Sequence, residues 1–330
     1  MGVEIKKRLG GKNGLLALDI ASNDGCLLKE FRSEGFKVVG VEPATNLAAI
    51  ARADAITTFD SFWSAKTAEN IVKELGKVDV ITATNVLAHV DDVNAFVSAL
   101  DIVLNENGLV VIEVPTVANI VEKNQFDTIY HEHLSYFLLK PLMTLFERNG
   151  FNVIDIQQFE IHGGSMRIFA AKKSSSLKKN EITINQYIEM EELKQLYSLQ
   201  TYLKLARNVE KIKKELLSIL TEINEGGKHV AAYGASAKGN TLLNYCGIGT
   251  NLISFIIDDT PEKQNCLAPG NHIPILPYVH LEEKKPQYLV LLAWNFAREL
   301  ISKTSVHRNR GGKYIIPIPE VKIVSSENEL

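Results

Sequence analysis

From residue 15 onward, apolar segments of strand length alternate with amphipathic segments of helix length, and this alternation restricts the fold most. LLALDI (15–20) precedes a helix starting at Asp24, and KVVGVE (37–42) precedes another near Thr45. VDVITAT (78–84) is followed by Asp91-Asp92 and a helix to about Leu104, and LVVIEV (109–114) runs into Pro115. Four such units imply a parallel, doubly wound α/β sheet. FNVIDIQQFE (151–160) and SMRIFAAKK (165–173), joined through His162-Gly163-Gly164, read as an antiparallel pair that would close one edge of that sheet.

SSSLKKN (174–180) is a polar linker, and no proline or glycine occurs between Glu181 and Glu225. Leu196, Leu203, Ala206, Val209, Ile212, Leu216, Leu220 and Ile223 recur every three or four positions. That spacing predicts one long helix, or two in series, stopped by Gly226-Gly227. It is a connecting helix packed on both domains or, alternatively, a dimer seam. HVAAYG (229–234), LISFIID (252–258), YLVLLAW (288–294) and KYIIPIP (313–319) then supply strands of a second α/β unit. The expectation is two Rossmann-like domains, 1–173 and 228–330, joined by a helical linker at 174–227.

Lys and Arg total 36 against 39 Asp and Glu, so there is no basic excess to suit nucleic acid or an anionic membrane. No apolar run reaches the roughly 18 residues of a membrane span, and the first twenty residues lack a signal-peptide pattern. Cys26, Cys246 and Cys266 are too scattered for a disulfide framework or a Cys-x-x-Cys metal site. A cytoplasmic enzyme without a bound metal is expected.

The first strand ends in Asp19-Ile20-Ala21-Ser22-Asn23-Asp24-Gly25, a tight turn at the carboxyl edge of the sheet. The second strand ends in Glu42, before Pro43 and 23 residues after Asp19. A carboxylate at that position accepts both hydroxyls of a ribose. With Gly25 alone, the loop lacks the G-x-G-x-x-G of a nicotinamide site, and S-adenosylmethionine suits the turn better. Ordinary strand-end capping is the bland alternative. Strand four ends in Thr84-Asn85 and leads to His89. In a cofactor fold of this layout that loop faces the reacting carbon, which makes Asn85 and His89 candidates for contacting substrate. A structural hydrogen bonder is the alternative for His89.

Residues 122–137 read EKNQFDTIYHEHLSYF, with Tyr130, His131, Glu132 and His133 consecutive. Imidazoles two residues apart do not share a helical face, which weighs against a metal site. Acid–base work fits better: histidine titrates near neutrality, and tyrosine can donate to a developing oxyanion. A neutral histidine oriented by a carboxylate would be suited to removing a proton α to a carbonyl. A polar turn with satisfied histidines is the alternative.

DIASNDG, VVGVEPATN, TATNVLAHVDD, VIEVP, EKNQFDTIYHEHLSYF, HGGSMRIF, YGASAKGNTLLNYCGIG and WNFARE together resemble the nucleotide-sugar C-methyltransferases. The resemblance runs from about residue 15 to 320. It implies a class I methyltransferase domain, S-adenosylmethionine as cofactor, and methylation at C3 of a dTDP-4-keto-deoxysugar. His133 would be the base on the C3 proton, Tyr130 and Glu132 would order the site, and His89 would stabilise the enolate. Asp19, Ala21, Asn23, Gly25, Glu42, Pro43 and Asn85 would hold the cofactor, with Asn85 and His162 also touching substrate. The family usually carries an N-terminal zinc module of roughly seventy residues with four cysteines. No cysteine precedes Cys26 here, so that module is expected to be absent. Ala21 stands where the family commonly has glycine.

In the second lobe, Gly234-Ala-Ser-Ala-Lys-Gly239-Asn-Thr opens a helix with small residues and a lysine, an anion-binding pattern that is not a Walker A loop. Under the resemblance its guest is the diphosphate of a nucleotide sugar, held by Ser236, Lys238 and Asn240 with Lys123 assisting. A turn chosen for helix–sheet packing is the alternative. Asp258-Asp259 would contact sugar or base, or start a turn, and Trp294 reads as packing. A small-molecule substrate and a monomer or weak homodimer are expected. The competing functions are a non-catalytic binding protein that has lost the zinc module and a nicotinamide-dependent sugar oxidoreductase.

Overall fold

The computed structural model describes residues 1–159 and 164–330. His162 therefore lies outside the described residues. The chain divides into two compact units, Met1–Val117 with Leu134–Leu196, and Ala118–His133 with Tyr197–Leu330. This departs from the boundaries expected at 173 and 227. Residues 118–133 join the second unit, because Ile120 and Phe126 are buried in its core. The helix Glu181–Leu193, expected in the linker, joins the first, because Ile184 and Tyr187 are buried there. Its buried Glu191 accepts the Leu139 amide at 2.9 Å, capping the helix Leu139–Arg148.

The first unit contains β1 (Leu16–Ile20), β2 (Lys37–Val41), β3 (Thr57–Phe59), β4 (Val78–Thr84), β5 (Leu104–Pro115), β6 (Phe151–Phe159) and β7 (Ser165–Lys172). They form one sheet in the order β3-β2-β1-β4-β5-β7-β6. Strands β1 to β5 are parallel, and β7 runs antiparallel between β5 and β6. This is the class I methyltransferase arrangement, with the expected antiparallel pair at one edge. Buried apolar clusters cover the sheet: Ile71, Val97, Leu142 and Phe146 belong to one, and Ile5, Phe31 and Phe36 to another. Asp92 caps the helix Val93–Val103 through the Asn94 and Ala95 amides, as its acidic start predicts. Strand order reverses at β1, with β2 on one side and β4 on the other, which opens a crevice at the carboxyl ends of these strands.

The second unit contains β8 (Val230–Tyr233), β9 (Ile256–Ile257), β10 (Ile275–Leu276), β11 (Tyr288–Leu291), β12 (Lys313–Ile316) and β13 (Lys322–Val324). Their order is β10-β9-β8-β11-β12-β13, parallel except for β13. Here too the order reverses at the first strand. The helix Leu199–Glu225 buries Leu205, Val209, Ile212, Leu216, Leu220 and Ile223. Leu203 and Ala206, expected on that face, are exposed. The inward row reaches Leu205, four residues before Val209, and leaves Leu203 and Ala206 on the neighbouring strip. Among the described residues no helix is long and apolar enough to cross a membrane.

Candidate functional site

In the first unit the loop after β1 places three residues at positive φ: Ala21 (56°), Asn23 (52°) and Gly25 (80°). A Cβ on Gly25 would lie 2.5 Å from Ile56 Cδ1, so the buried Ile56 side chain would have to shift. Ala21 holds a left-handed conformation against its own Cβ, which costs roughly 1 kcal/mol. Ala21→Gly is therefore expected to stabilise the protein by about 0.5–1 kcal/mol, read as a raised midpoint in urea unfolding.

Glu42 is buried at the end of β2. Its Oε2 accepts the Asn23 amide and its Oε1 the Ala44 amide, both at 2.8 Å. One carboxylate thus joins the loops after β1 and β2 while each oxygen keeps a further lone pair. Asp19, also buried, accepts the Thr82 hydroxyl at 2.6 Å. Burial, with the Glu42 charge adding to it, pushes Asp19 up to about 7 against the opposing Thr82 bond. Asn85 (φ 56°) donates its amide to the Glu113 carbonyl at 2.8 Å, and its side-chain Oδ1 is buried with no hydrogen-bond partner. An unpaired buried acceptor at a strand end suits a ligand donor. Pro43 is half-buried between Glu42 and Ala44. His89 is exposed at the end of the turn Leu87–His89, and the carbonyl of its neighbour Ala88 accepts the amides of Leu134 (2.8 Å) and Ser135 (3.2 Å).

The second unit holds the segment 118–133 at several points. Asn124 donates to the Pro319 carbonyl and accepts from Asn208, each at 3.0 Å. The Phe126 ring packs 5.2 Å from that of Tyr245, and Asp127 accepts the Trp294 indole N–H at 2.7 Å. These contacts place the turn Phe126–Thr128, and the turn places His133. His133 Nδ1 lies 2.8 Å from the Thr128 carbonyl, which can only accept. Nδ1 therefore carries a hydrogen, and in its neutral form the ring presents Nε2 as a base. The Tyr130 hydroxyl, 3.2 Å away, donates to Nε2, and the two rings lie 4.3 Å apart.

This corrects the expectation that a carboxylate orients His133, since a main-chain carbonyl does so. Glu132 points elsewhere, its carboxylate exposed and 4.0 Å from His131 Nε2. The sequence reading missed Thr128 and Asp127, although the FDT triplet at 126–128, one residue before Tyr130, was available as a signal.

A cavity of about 430 Å³ opens beside the helix Ala237–Cys246, lined in part by Tyr130, Ser236, Asn240, Lys263, Cys266 and Leu267. Ser236 caps the helix through the Gly239 amide at 3.1 Å. A Cβ on Gly239 would lie 2.7 Å from Leu292 Cβ, so the close approach of helix and strand demands glycine. Asp258 takes the Ala235 amide on Oδ2 (2.7 Å) and the Thr260 amide on Oδ1 (2.9 Å). The loops after β8 and β9 are thereby tied as Glu42 ties those after β1 and β2. Lys238 lies 6.0 Å from the centroid of the Trp294 ring, and the Lys123 side chain is half-buried in the segment before Asn124. Of the anion-binding set, the structure brings Ser236 and Asn240 to the cavity with Tyr130. Among the described residues no group of three His, Cys, Asp or Glu side chains is placed to hold a metal ion.

Two family models match. The one described as a methyltransferase domain covers residues 4–156, and the one described as a C-methyltransferase C-terminal domain covers 160–319. The chain is 35% identical over 324 residues to the C-methyltransferase NovU of Streptomyces niveus, spanning 98% of this chain and 77% of that protein. It is 33% identical over 106 residues to a ubiquinone biosynthesis O-methyltransferase of Bradyrhizobium sp. (strain ORS 278), covering 32% and 42% respectively. Among solved structures, the magnesium protoporphyrin IX methyltransferase ChlM of Synechocystis PCC 6803 with bound SAH superposes on 52% of this chain and 80% of that one. The TM-score is 0.41 and the identity 16%.

Proposed function

Because the chain belongs to the S-adenosylmethionine-dependent C-methyltransferases, we propose that it methylates the carbon next to the ketone of a nucleotide-activated 4-keto-deoxysugar, at C3 of a dTDP-linked substrate. The Tyr130–His133 pair carries this reading, since its imidazole is fixed as a base at Nε2 by the Thr128 carbonyl. His133 takes the C3 proton, and the Tyr130 hydroxyl, released from Nε2 as that proton arrives, donates to the developing oxyanion. His89 would add a second donor to that oxygen. Bound S-adenosylmethionine supplies an electrophilic methyl carbon.

The first-unit residues fit that cofactor: Glu42 for the ribose diol, Asp19 for the ammonium, and the unpaired Asn85 Oδ1 as a further acceptor. In the second unit, Ser236 and Asn240 at the cavity, with Lys238 and Lys123, would receive the nucleotide diphosphate. Incubating the keto-sugar nucleotide with the protein in D2O, without methyl donor, tests the base. Deuterium should enter at C3, and His133→Ala should abolish that entry. Wild-type protein that binds the sugar without exchange would contradict the assignment.

Asp19 gives a pH signature. A cationic ammonium beside it favours the carboxylate, but below about 7 the folded protein holds Asp19 protonated. Binding must then expel the proton. Affinity for S-adenosylmethionine is expected to rise as pH passes upward through 7, with proton release detected by calorimetry in buffers of different ionisation enthalpy. Asp19→Asn should flatten that rise.

A further inference from the structure

Asp127 takes no part in the steps above, yet it is fully buried. Its Oδ2 accepts the Trp294 N–H at 2.7 Å, while its Oδ1 has no hydrogen-bond partner. A buried carboxylate oxygen left unpaired is costly, and such costs persist where they serve the site. Burial raises the Asp127 pKa, opposed by the Trp294 bond, the Lys238 ammonium and the main-chain amides of Asp127 and Thr128. Lys238 in turn faces the Trp294 ring. Asp127 thus grips the indole at its N–H, and Lys238 of the helix Ala237–Cys246 lies 6.0 Å from the centroid of the same ring. The next residue, Thr128, supplies the carbonyl that fixes His133 Nδ1.

We propose that Asp127 is a positioning residue: through the Trp294 indole it fixes the Phe126–Thr128 turn, whose Thr128 carbonyl sets the His133 tautomer. This does not depend on the nucleotide-sugar reading. A merely structural residue would lower stability without moving the His133 tautomer.

The test uses Asp127→Leu and Trp294→Phe in the full chain, each removing one side of the indole hydrogen bond, since Asp127→Asn would keep an acceptor. The readouts are 15N NMR of the His133 ring in resting protein and kcat with KM for the keto-sugar nucleotide. Both variants should move the His133 signals from the Nδ1–H pattern toward tautomer averaging, and kcat should fall roughly tenfold or more. W294F decides the matter if D127L does not fold. An unchanged His133 spectrum overturns the positioning role.

Discussion

Replacing His133 with alanine is expected to lower kcat by about 10²- to 10⁴-fold, the span of a lost general base, with S-adenosylhomocysteine affinity unchanged. His133 is held within the second unit by the Thr128 carbonyl and Tyr130, whereas Asp19, Glu42 and Asn85 belong to the first. Loss of the imidazole removes a proton acceptor and leaves the hydrogen bonds of Glu42 and Asp19 within the first unit in place. Glu132→Gln is the informative companion. Its carboxylate is exposed beside His131, so kcat should stay within about twofold of wild type, as for surface substitutions away from a site. Steady-state kinetics with calorimetry checks both. A large loss in Glu132→Gln would restore the carboxylate-oriented base that the structure replaces with a carbonyl.

Glu42→Ala should act on the opposite unit. It strips acceptors from two amides, Asn23 and Ala44, and removes the carboxylate offered to a ribose. Losing hydrogen bonds to a charged group costs about 1.5–3 kcal/mol each, so S-adenosylhomocysteine affinity should fall by roughly 10²-fold. The thermal midpoint should drop as well. Thymidine diphosphate binding, assigned to the second unit, should be unaltered. If Glu42→Ala left S-adenosylhomocysteine binding intact, the cofactor would lie elsewhere.

Strands β1, β2, β4 and β5 were legible because a parallel strand buried on both faces is a continuous apolar run. Glu42 and Asn85 were legible from their places at the ends of such runs. β3 was not, since Thr57-Thr58-Phe59 is too short and polar to show a period, and neither was β10 with two residues, whereas β9 lies inside the apolar run 252–258. The helix Ala65–Leu75, capped by Ser64, was likewise passed over. Tyr130 and His133 stood out by residue type, but the partner that orients His133 did not. A main-chain carbonyl leaves no mark in side-chain identity. Asp127 depends on Trp294, 167 residues away, and the membership of 118–133 in the second unit rests on similarly distant partners, Pro319 and Tyr245. Local pattern cannot report contacts of that range.

The most direct test of C-methylation supplies [methyl-13C]S-adenosylmethionine with a dTDP-4-keto-deoxysugar deuterated at C3, and follows the product by 13C NMR and mass spectrometry. The account predicts a new carbon–carbon methyl signal at C3, one C3 deuterium lost per methyl gained, and neither change in His133→Ala. A methyl signal on oxygen, or methylation with every C3 deuterium retained, would contradict it.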